Sequence, residues 1–148
     1  MNSLLFPSRN LFLILMFFCS LITFSQEESI DVPFAVLEEI PQFPNCKDIA
    51  YENGKNCFMQ EMNNHIKSNF RYPTLALKKN IQGRITVMFV INSKGNVSNI
   101  KAHVPEGCEI LAKEAVRIIK LLPKFKPGMQ KGKPVGVSYA QPIMFKLQ

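Results

Sequence analysis

The clearest pattern in the chain is an alternation along its last residues, 134–148. Apolar side chains occupy the odd positions, with Gln141 the only polar interruption: Val135, Val137, Tyr139, Ile143, Phe145 and Leu147. Because side chains in a strand alternate faces with period two, this pattern predicts one long, half-buried strand. Pro142 lacks an N–H, which favours an edge strand or a bulge. An edge strand leaves backbone groups free to accept another chain, so peptide capture is the first functional hypothesis.

Two segments show helical periodicity. The first begins near Phe58 and ends at Tyr72-Pro73, since the residue before a proline avoids the helical region. Its apolar stripe recurs every four residues, at Phe58, Met62, Ile66 and Phe70. The second ends before Pro123 and carries its stripe at Leu111, Ala115, Ile118 and Leu122. Both segments are therefore predicted to be amphipathic helices.

A predicted hairpin lies between the two helices. A strand opens at Gln82-Gly83 and carries Ile85, Val87, Phe89 and Ile91 on one face. Residues 92–96 form a turn in which Gly95 can adopt positive φ. The partner strand runs from Val97 to about Val104, and Val97 is out of phase with its successors, which predicts a bulge near Ser98. This element order indicates an α+β fold: a small antiparallel three-stranded sheet with two helices on one face.

The chain divides into three parts. Residues 1–25 are predicted to be a secretory signal, with cleavage before Gln26. The apolar run Leu11–Phe24 is 14 residues long, and a bilayer span needs about 20; a retained short inner-membrane anchor is the alternative. Residues 26–57 form an acidic, proline-containing arm, and residues 58–148 form the body. We therefore expect a periplasmic protein after Sec export, or one anchored in the inner membrane and facing the periplasm.

Charge is distributed unevenly along the chain. Residues 27–61 contain eight acidic residues and two lysines, whereas residues 62–148 contain fifteen basic and three acidic residues. This asymmetry indicates either that the acidic arm lies against the basic body or that the body faces an anionic partner. The chain has neither a Lys/Arg-rich helix nor an aromatic stacking platform, so no nucleic-acid partner is expected.

Cysteines and histidines are the remaining candidates for chemistry. Cys46 and Cys57 bracket a polar loop and are predicted to form a disulfide in an oxidising compartment. Cys108 is then either a buried thiol or one free for intermolecular pairing. His65 and His103 match no metal-ligand spacing and are assigned to surface or interface positions. No catalytic motif, metal site or cofactor fingerprint is found, so we expect a binding module and not an enzyme.

An ordered series of short motifs carries a family resemblance. The series is Tyr72-Pro73-Thr74-Leu75-Ala76, then residues 82–90, Lys94-Gly95-Asn96-Val97, Leu122-Pro123-Lys124-Phe125, Gly132-Lys133-Pro134-Val135 and Pro142-Ile143-Met144-Phe145. It resembles the C-terminal domain of TonB-type energy transducers, in the form common among Bacteroidetes. Residues 32–46 resemble the lead-in that this form carries, so the resemblance covers about residues 32–148.

The resemblance implies both a partner and a mode of binding. Domains of this family bind the TonB-box segment of outer-membrane transporters by strand addition and couple inner-membrane energy to uptake. The contact residues implied are Arg71, Tyr72, Pro73, Val135, Val137, Tyr139, Gln141, Ile143 and Phe145. For Tyr72, packing at a helix end is an equally good interpretation.

The chain also departs from full-length transducers, which have an inner-membrane anchor for the ExbB–ExbD motor and a long spacer. The arm here is short, so ExbB–ExbD is an expected partner only if Leu11–Phe24 is retained as an anchor. Two other classes stay open: a self-associating structural domain that forms a homodimer through its edge strand, and an accessory envelope domain without energy transduction.

Overall fold

The computed structural model describes residues 31–46 and 51–147; the signal or anchor expected within 1–25 lies outside the described residues. The elements follow in this order: strand β1 (Asp31–Pro33), a 3-10 turn (Phe34–Val36), a second 3-10 turn (Pro44–Cys46), helices α1 (Tyr51–Asn69) and α2 (Thr74–Lys78), strands β2 (Gly83–Ile91) and β3 (Val97–His103), helix α3 (Glu109–Lys120), and strands β4 (Gly128–Gln130) and β5 (Lys133–Phe145). The predicted helices and long strands are all present, and α1 begins earlier than Phe58.

The sheet is mixed and has the strand order β1-β5-β2-β3. Its centre is the predicted antiparallel trio: β5 pairs with β2 from Phe145↔Gly83 to Val137↔Ile91, and β2 pairs with β3. Two short strands were not expected. β1 pairs in parallel with β5, and β4 forms a hairpin with the first residues of β5. The α+β class is thus confirmed, but the sheet contains more than the three antiparallel strands. The sequence did not reveal β1 and β4, because a three-residue segment is too short to show an alternating pattern.

One face of the sheet and the helices form a single core. The inward-facing residues of β2 are all buried: Ile85, Val87, Phe89 and Ile91. Phe58 and Met62 of α1 meet this face, as do Leu111, Ala115 and Ile118 of α3. The opposite face of the sheet is open, and Met88 and Met144 are exposed on it.

The acidic arm packs against the body. Its apolar residues Leu37, Ile40 and Phe43 are buried in the core. Two pairs of backbone hydrogen bonds, between Glu39 and Met129 and between Gln42 and Lys126, hold it beside β4 and the segment that leads into it. Lys126 also forms an ion pair with Glu39 at 3.9 Å. Of the two explanations for the charge asymmetry, the structure therefore supports the first, in which the acidic arm lies against the basic body.

The predicted disulfide is present and fixes the end of the arm to α1. Cys46 and Cys57 are bonded, with their Cα atoms 5.9 Å apart. Cys108 is buried, and its thiol donates to the Gln82 carbonyl oxygen at 3.6 Å. Of the two alternatives for this residue, the structure therefore supports the buried thiol.

The hairpin and its bulge are also confirmed. Gly95 has φ +81° in the turn between β2 and β3. The register between these strands shifts between Met88 and Val90, opposite Ser98, and Asn99 has φ +51°. Within residues 31–46 and 51–147, no helix is long and apolar enough to cross a membrane.

Candidate strand-docking edge

Strand β5 has one fully paired edge and one partly paired edge. β2 pairs with every residue from Val137 to Phe145. On the opposite edge β1 pairs with residues 136–138, and among the described residues no strand pairs there with Tyr139–Phe145. We call this free stretch of β5, Tyr139–Phe145, the open edge. Seven residues in a strand span about 23 Å, which is long enough for a short peptide to pair.

The prediction that the whole of β5 is an edge strand is therefore wrong at residues 136–138, where β1 covers the edge opposite β2. Residues 133–135 are paired with β4 and residues 136–138 with β1. Both covering strands are only three residues long. Their pairing depends on how the arm and the loop pack in three dimensions, which the alternation within β5 does not encode.

Helix α1 runs along β5 on the core side of the sheet. The Phe58 ring lies 5.3 Å from that of Tyr139, and the Phe70 ring, just after the helix, lies 5.0 Å from that of Phe145. The two ends of the helical stripe thus meet the two ends of the open edge. Met59 is exposed beside the first contact, and its Sδ accepts a hydrogen bond from the Tyr139 hydroxyl at 3.2 Å.

The loop Arg71–Pro73 lies at the far end of the open edge. The Tyr72 ring is 5.9 Å from the Phe145 ring, and its hydroxyl donates to the Ile81 carbonyl oxygen at 2.7 Å. Tyr72 is therefore a packed residue, half-buried, whereas Arg71 is exposed. The structure thus brings together the two segments that the sequence singled out, this loop and the end of β5.

A carboxylate on α3 fixes the position of this loop. Glu114 accepts hydrogen bonds from the backbone N–H of Arg71 at 3.0 Å and from the Arg117 guanidinium at 2.6 and 2.8 Å. Arg117 in turn donates to the Asn69 carbonyl oxygen at 2.5 Å. The hydrogen bond from Arg117 holds the pKa of Glu114 below its ordinary value and raises the pKa of Arg117. The loop is therefore held by a charged pair on a neighbouring helix.

At the other end of the open edge, burial raises the pKa of the Tyr139 hydroxyl. The hydroxyl is therefore neutral at physiological pH and acts as a donor to Met59.

From Val135 onward, the odd-numbered residues of β5 face the core. Val137, Gln141, Ile143 and Phe145 are buried, and Val135 and Tyr139 are half-buried. Gln141, the one polar member, donates from Nε2 to the Pro142 carbonyl oxygen at 2.9 Å. A partner at the open edge would therefore meet the backbone of these residues more than their side chains, and Val135 and Val137 lie on the part of β5 that is already paired.

Two residues beside the open edge were not singled out from the sequence. Met59 lies one position outside the apolar stripe of α1. Phe34, in the arm, packs against Phe58 at 4.9 Å and against Tyr139 at 5.0 Å between ring centroids. The only sequence signal for Met59 was its position next to Phe58 of the apolar stripe, and no pattern assigned a role to Phe34.

The described residues contain no cluster of three or more His, Cys, Asp or Glu side chains that could hold a metal ion. His65 is half-buried between α1 and α3, with Nε2 2.9 Å from the Ile118 carbonyl oxygen and Nδ1 3.4 Å from Asn69 Nδ2. Both ring nitrogens therefore have partners within the protein.

Comparisons with known proteins agree with this architecture. Residues 68–147 match the family of Gram-negative bacterial TonB protein C-terminal domains. TonB proteins from two Helicobacter pylori strains are each 36% identical to this chain over 72 residues, which are 48% of its length. The matched region spans only 26% and 25% of those two relatives. The solution NMR structure of the Helicobacter pylori TonB C-terminal domain covers 69% of this chain and is itself covered to 87%, at 27% identity and a TM-score of 0.50.

Proposed function

Because the chain belongs to the family of Gram-negative bacterial TonB protein C-terminal domains, we propose that it is a periplasmic binding module. It captures the TonB-box segment of outer-membrane transporters by strand addition at the open edge, and so contributes to TonB-dependent transport. The observation that carries this proposal is that residues Tyr139–Phe145 of β5 pair with β2 on one side and with no described strand on the other.

The surroundings of the open edge support strand addition. An added strand gains affinity from backbone hydrogen bonds and specificity from alternate side chains that enter neighbouring pockets. On the core side, the exposed Met59, which lies against Tyr139, offers an apolar contact at one end. At the other end, Tyr72 and the exposed Arg71 lie beside Phe145.

Transmission of force is not part of this proposal. Residues 31–46 pack on the body and are fixed by the disulfide at Cys46, so they do not act as a free spacer. Coupling to ExbB–ExbD would need Leu11–Phe24 as an inner-membrane anchor, and this segment lies outside the described residues.

The test is an amide NMR titration of the exported protein with TonB-box peptides copied from outer-membrane transporters of the same bacterium. We expect saturable shifts concentrated at the open edge and at Arg71–Pro73. The matched control is the same peptide with a proline at its centre, which removes an N–H and blocks extended pairing. This control peptide should bind at least about tenfold more weakly, since it loses one ladder hydrogen bond of about 1 kcal/mol and its ring also clashes with the strand.

Two results would reject strand addition. One is the absence of saturable shifts up to millimolar peptide; the other is a set of shifts confined to the open face of the sheet around Met88. In the first case, sedimentation at several protein concentrations decides whether the open edge instead pairs with a second copy and forms a dimer.

A further inference from the structure

Strand β1 occupies the same edge of β5 that the proposed function assigns to the partner. Its three residues pair in parallel with Gly136, Val137 and Ser138. At Gly136 the Asp31 carboxylate lies where a Cβ atom would be, so a side chain there would require the carboxylate to move. The outer edge of β5 thus runs from Gly136 to Phe145, and its first three residues are already paired with a strand of this chain.

Phe34 extends the occupied part by one position. In the parallel register, the residue after Pro33 is the one that would face Tyr139. At this point the chain turns away in a 3-10 turn, while the Phe34 ring packs against Tyr139 and Phe58. The apolar site that a partner side chain would enter beside Tyr139 is therefore filled by the protein itself.

The arm has a firmly held part and a loosely held part. From Leu37 to Cys46 it has buried side chains, two paired backbone contacts and the disulfide. In contrast, β1 has no buried residue, and Val36 is 64% exposed. A short segment with little buried apolar area opens at a low cost in free energy. The disulfide keeps the released strand tethered nearby, at a high effective concentration.

We propose that β1 and Phe34 form a resident strand that regulates the docking edge, and that an incoming partner segment displaces it in order to pair from Gly136 to Phe145. This inference rests on the proposed function. The resident strand and the partner compete for the same edge. The apparent affinity for the partner is therefore the intrinsic affinity multiplied by the fraction of molecules in which the resident strand is released.

Two variants shift this competition in opposite directions. Phe34→Ala removes the ring that fills the site beside Tyr139 and weakens the resident strand. The double substitution Pro33→Cys and Ser138→Cys joins two exposed residues that are register partners, so that a disulfide between them would lock the resident strand in place. Val36→Ala, in the same turn but at an exposed position, is the matched control for Phe34→Ala.

Calorimetric titration with a TonB-box peptide measures the effect in each protein. We expect the Phe34→Ala variant to bind about three- to tenfold more tightly than wild type, and Val36→Ala to bind as wild type does. The oxidised locked variant should bind at least about tenfold more weakly and recover on reduction. Wild-type protein in the same reductant controls for opening of the Cys46–Cys57 bond. In NMR spectra of wild type, the amides of 31–36 should shift together with those of the open edge.

The outcomes separate this inference from the proposed function. Equal affinity in wild type, Phe34→Ala and the locked variant, with unmoved signals from 31–36, would overturn the resident strand and leave strand addition at the open edge standing. Absence of binding in all three proteins would overturn both.

Discussion

At the scale of single residues, Gly95 joins the hairpin to the loop that follows α3. It has φ +81°, and its carbonyl oxygen accepts a hydrogen bond from the Phe125 N–H at 2.9 Å. Phe125 is buried, with its ring 4.6 Å from that of Phe43 in the arm. A side chain at Gly95 would be strained and would also collide with the Phe125 carbonyl oxygen. Gly95 therefore lets the hairpin approach the loop after α3, and this loop in turn contacts the arm through Phe125.

We expect Gly95→Ala to lower the free energy of unfolding by about 2 kcal/mol or more, because strain and collision add. Gly132→Ala is the matched control: Gly132 has φ +71° but no atom within 4 Å of the added methyl group, so only the backbone cost of about 1 kcal/mol remains. Urea denaturation of both variants measures the difference. Equal losses would contradict the collision.

Glu114 is the residue whose charge fixes the loop beside the open edge. Its pKa in the folded protein lies below the ordinary value of 4.5, chiefly because of the hydrogen bond from Arg117. Its contribution to stability is therefore complete above that ordinary value and is lost as the pH falls through the lowered pKa.

We expect Glu114→Gln to be less stable than wild type by about 1 kcal/mol at pH 7, and the difference should become smaller as the pH falls below 4.5. Denaturant unfolding at pH 7, 5 and 3 measures this, with the exposed Glu106→Gln as control. A difference of the same size at all three pH values would show that the hydrogen-bond geometry matters and the charge does not.

At the scale of elements, β5 shows what periodicity can predict. From Val135 onward its odd positions are on the core side, and its even positions from Ser138 to Met144 are exposed, as the alternation indicated. The two amphipathic helices, the hairpin and the bulge follow from equally local patterns. The strands that the sequence analysis missed, β1 and β4, have three residues each. They are strands only because β5 lies beside them.

The two faces of β5 should respond differently to charge. Val137→Asp places a carboxylate in a fully buried position and should unfold the domain or lower its stability by about 3 kcal/mol or more. Ala140→Asp, on the exposed face of the same strand, should change stability by less than about 1 kcal/mol. Circular dichroism and thermal melting compare the two variants. A similar loss in both would contradict the assigned orientation of the strand.

At the scale of the whole molecule, the asymmetry of β5 is the feature with functional consequences. Backbone N–H groups in a strand point alternately to its two sides, so a strand with one free edge protects only alternate amides from hydrogen exchange. We expect alternating protection along Tyr139–Phe145, and continuous protection along Thr86–Met88 of β2, which is paired on both sides.

Native-state hydrogen exchange followed by NMR measures this pattern directly. Addition of a TonB-box peptide should protect the remaining amides of the open edge. Uniform protection of Tyr139–Phe145 without peptide would contradict a free edge. If that protection also depended on protein concentration, a second copy would be the covering strand.

The candidate site was predictable in part. The long strand β5 and the disulfide could be predicted from the chain, because alternation and cysteine spacing are local signals. The loop Arg71–Pro73 was singled out only by the family resemblance. Met59 and Phe34 could not be predicted, since each matters only through its contact with Tyr139.

The sequence by itself determined the α+β class, the bounds of the long elements within a few residues except for the start of α1, the faces of the strands and the family. These follow from local periodicity and from ordered motifs. Only the tertiary structure decided which stretch of β5 is free, that the acidic arm belongs to the core, and that β1 lies on the proposed docking edge. The physical reason is that pairing between strands distant in sequence depends on where packing brings them together, and a three-residue strand contains too little pattern of its own to show it.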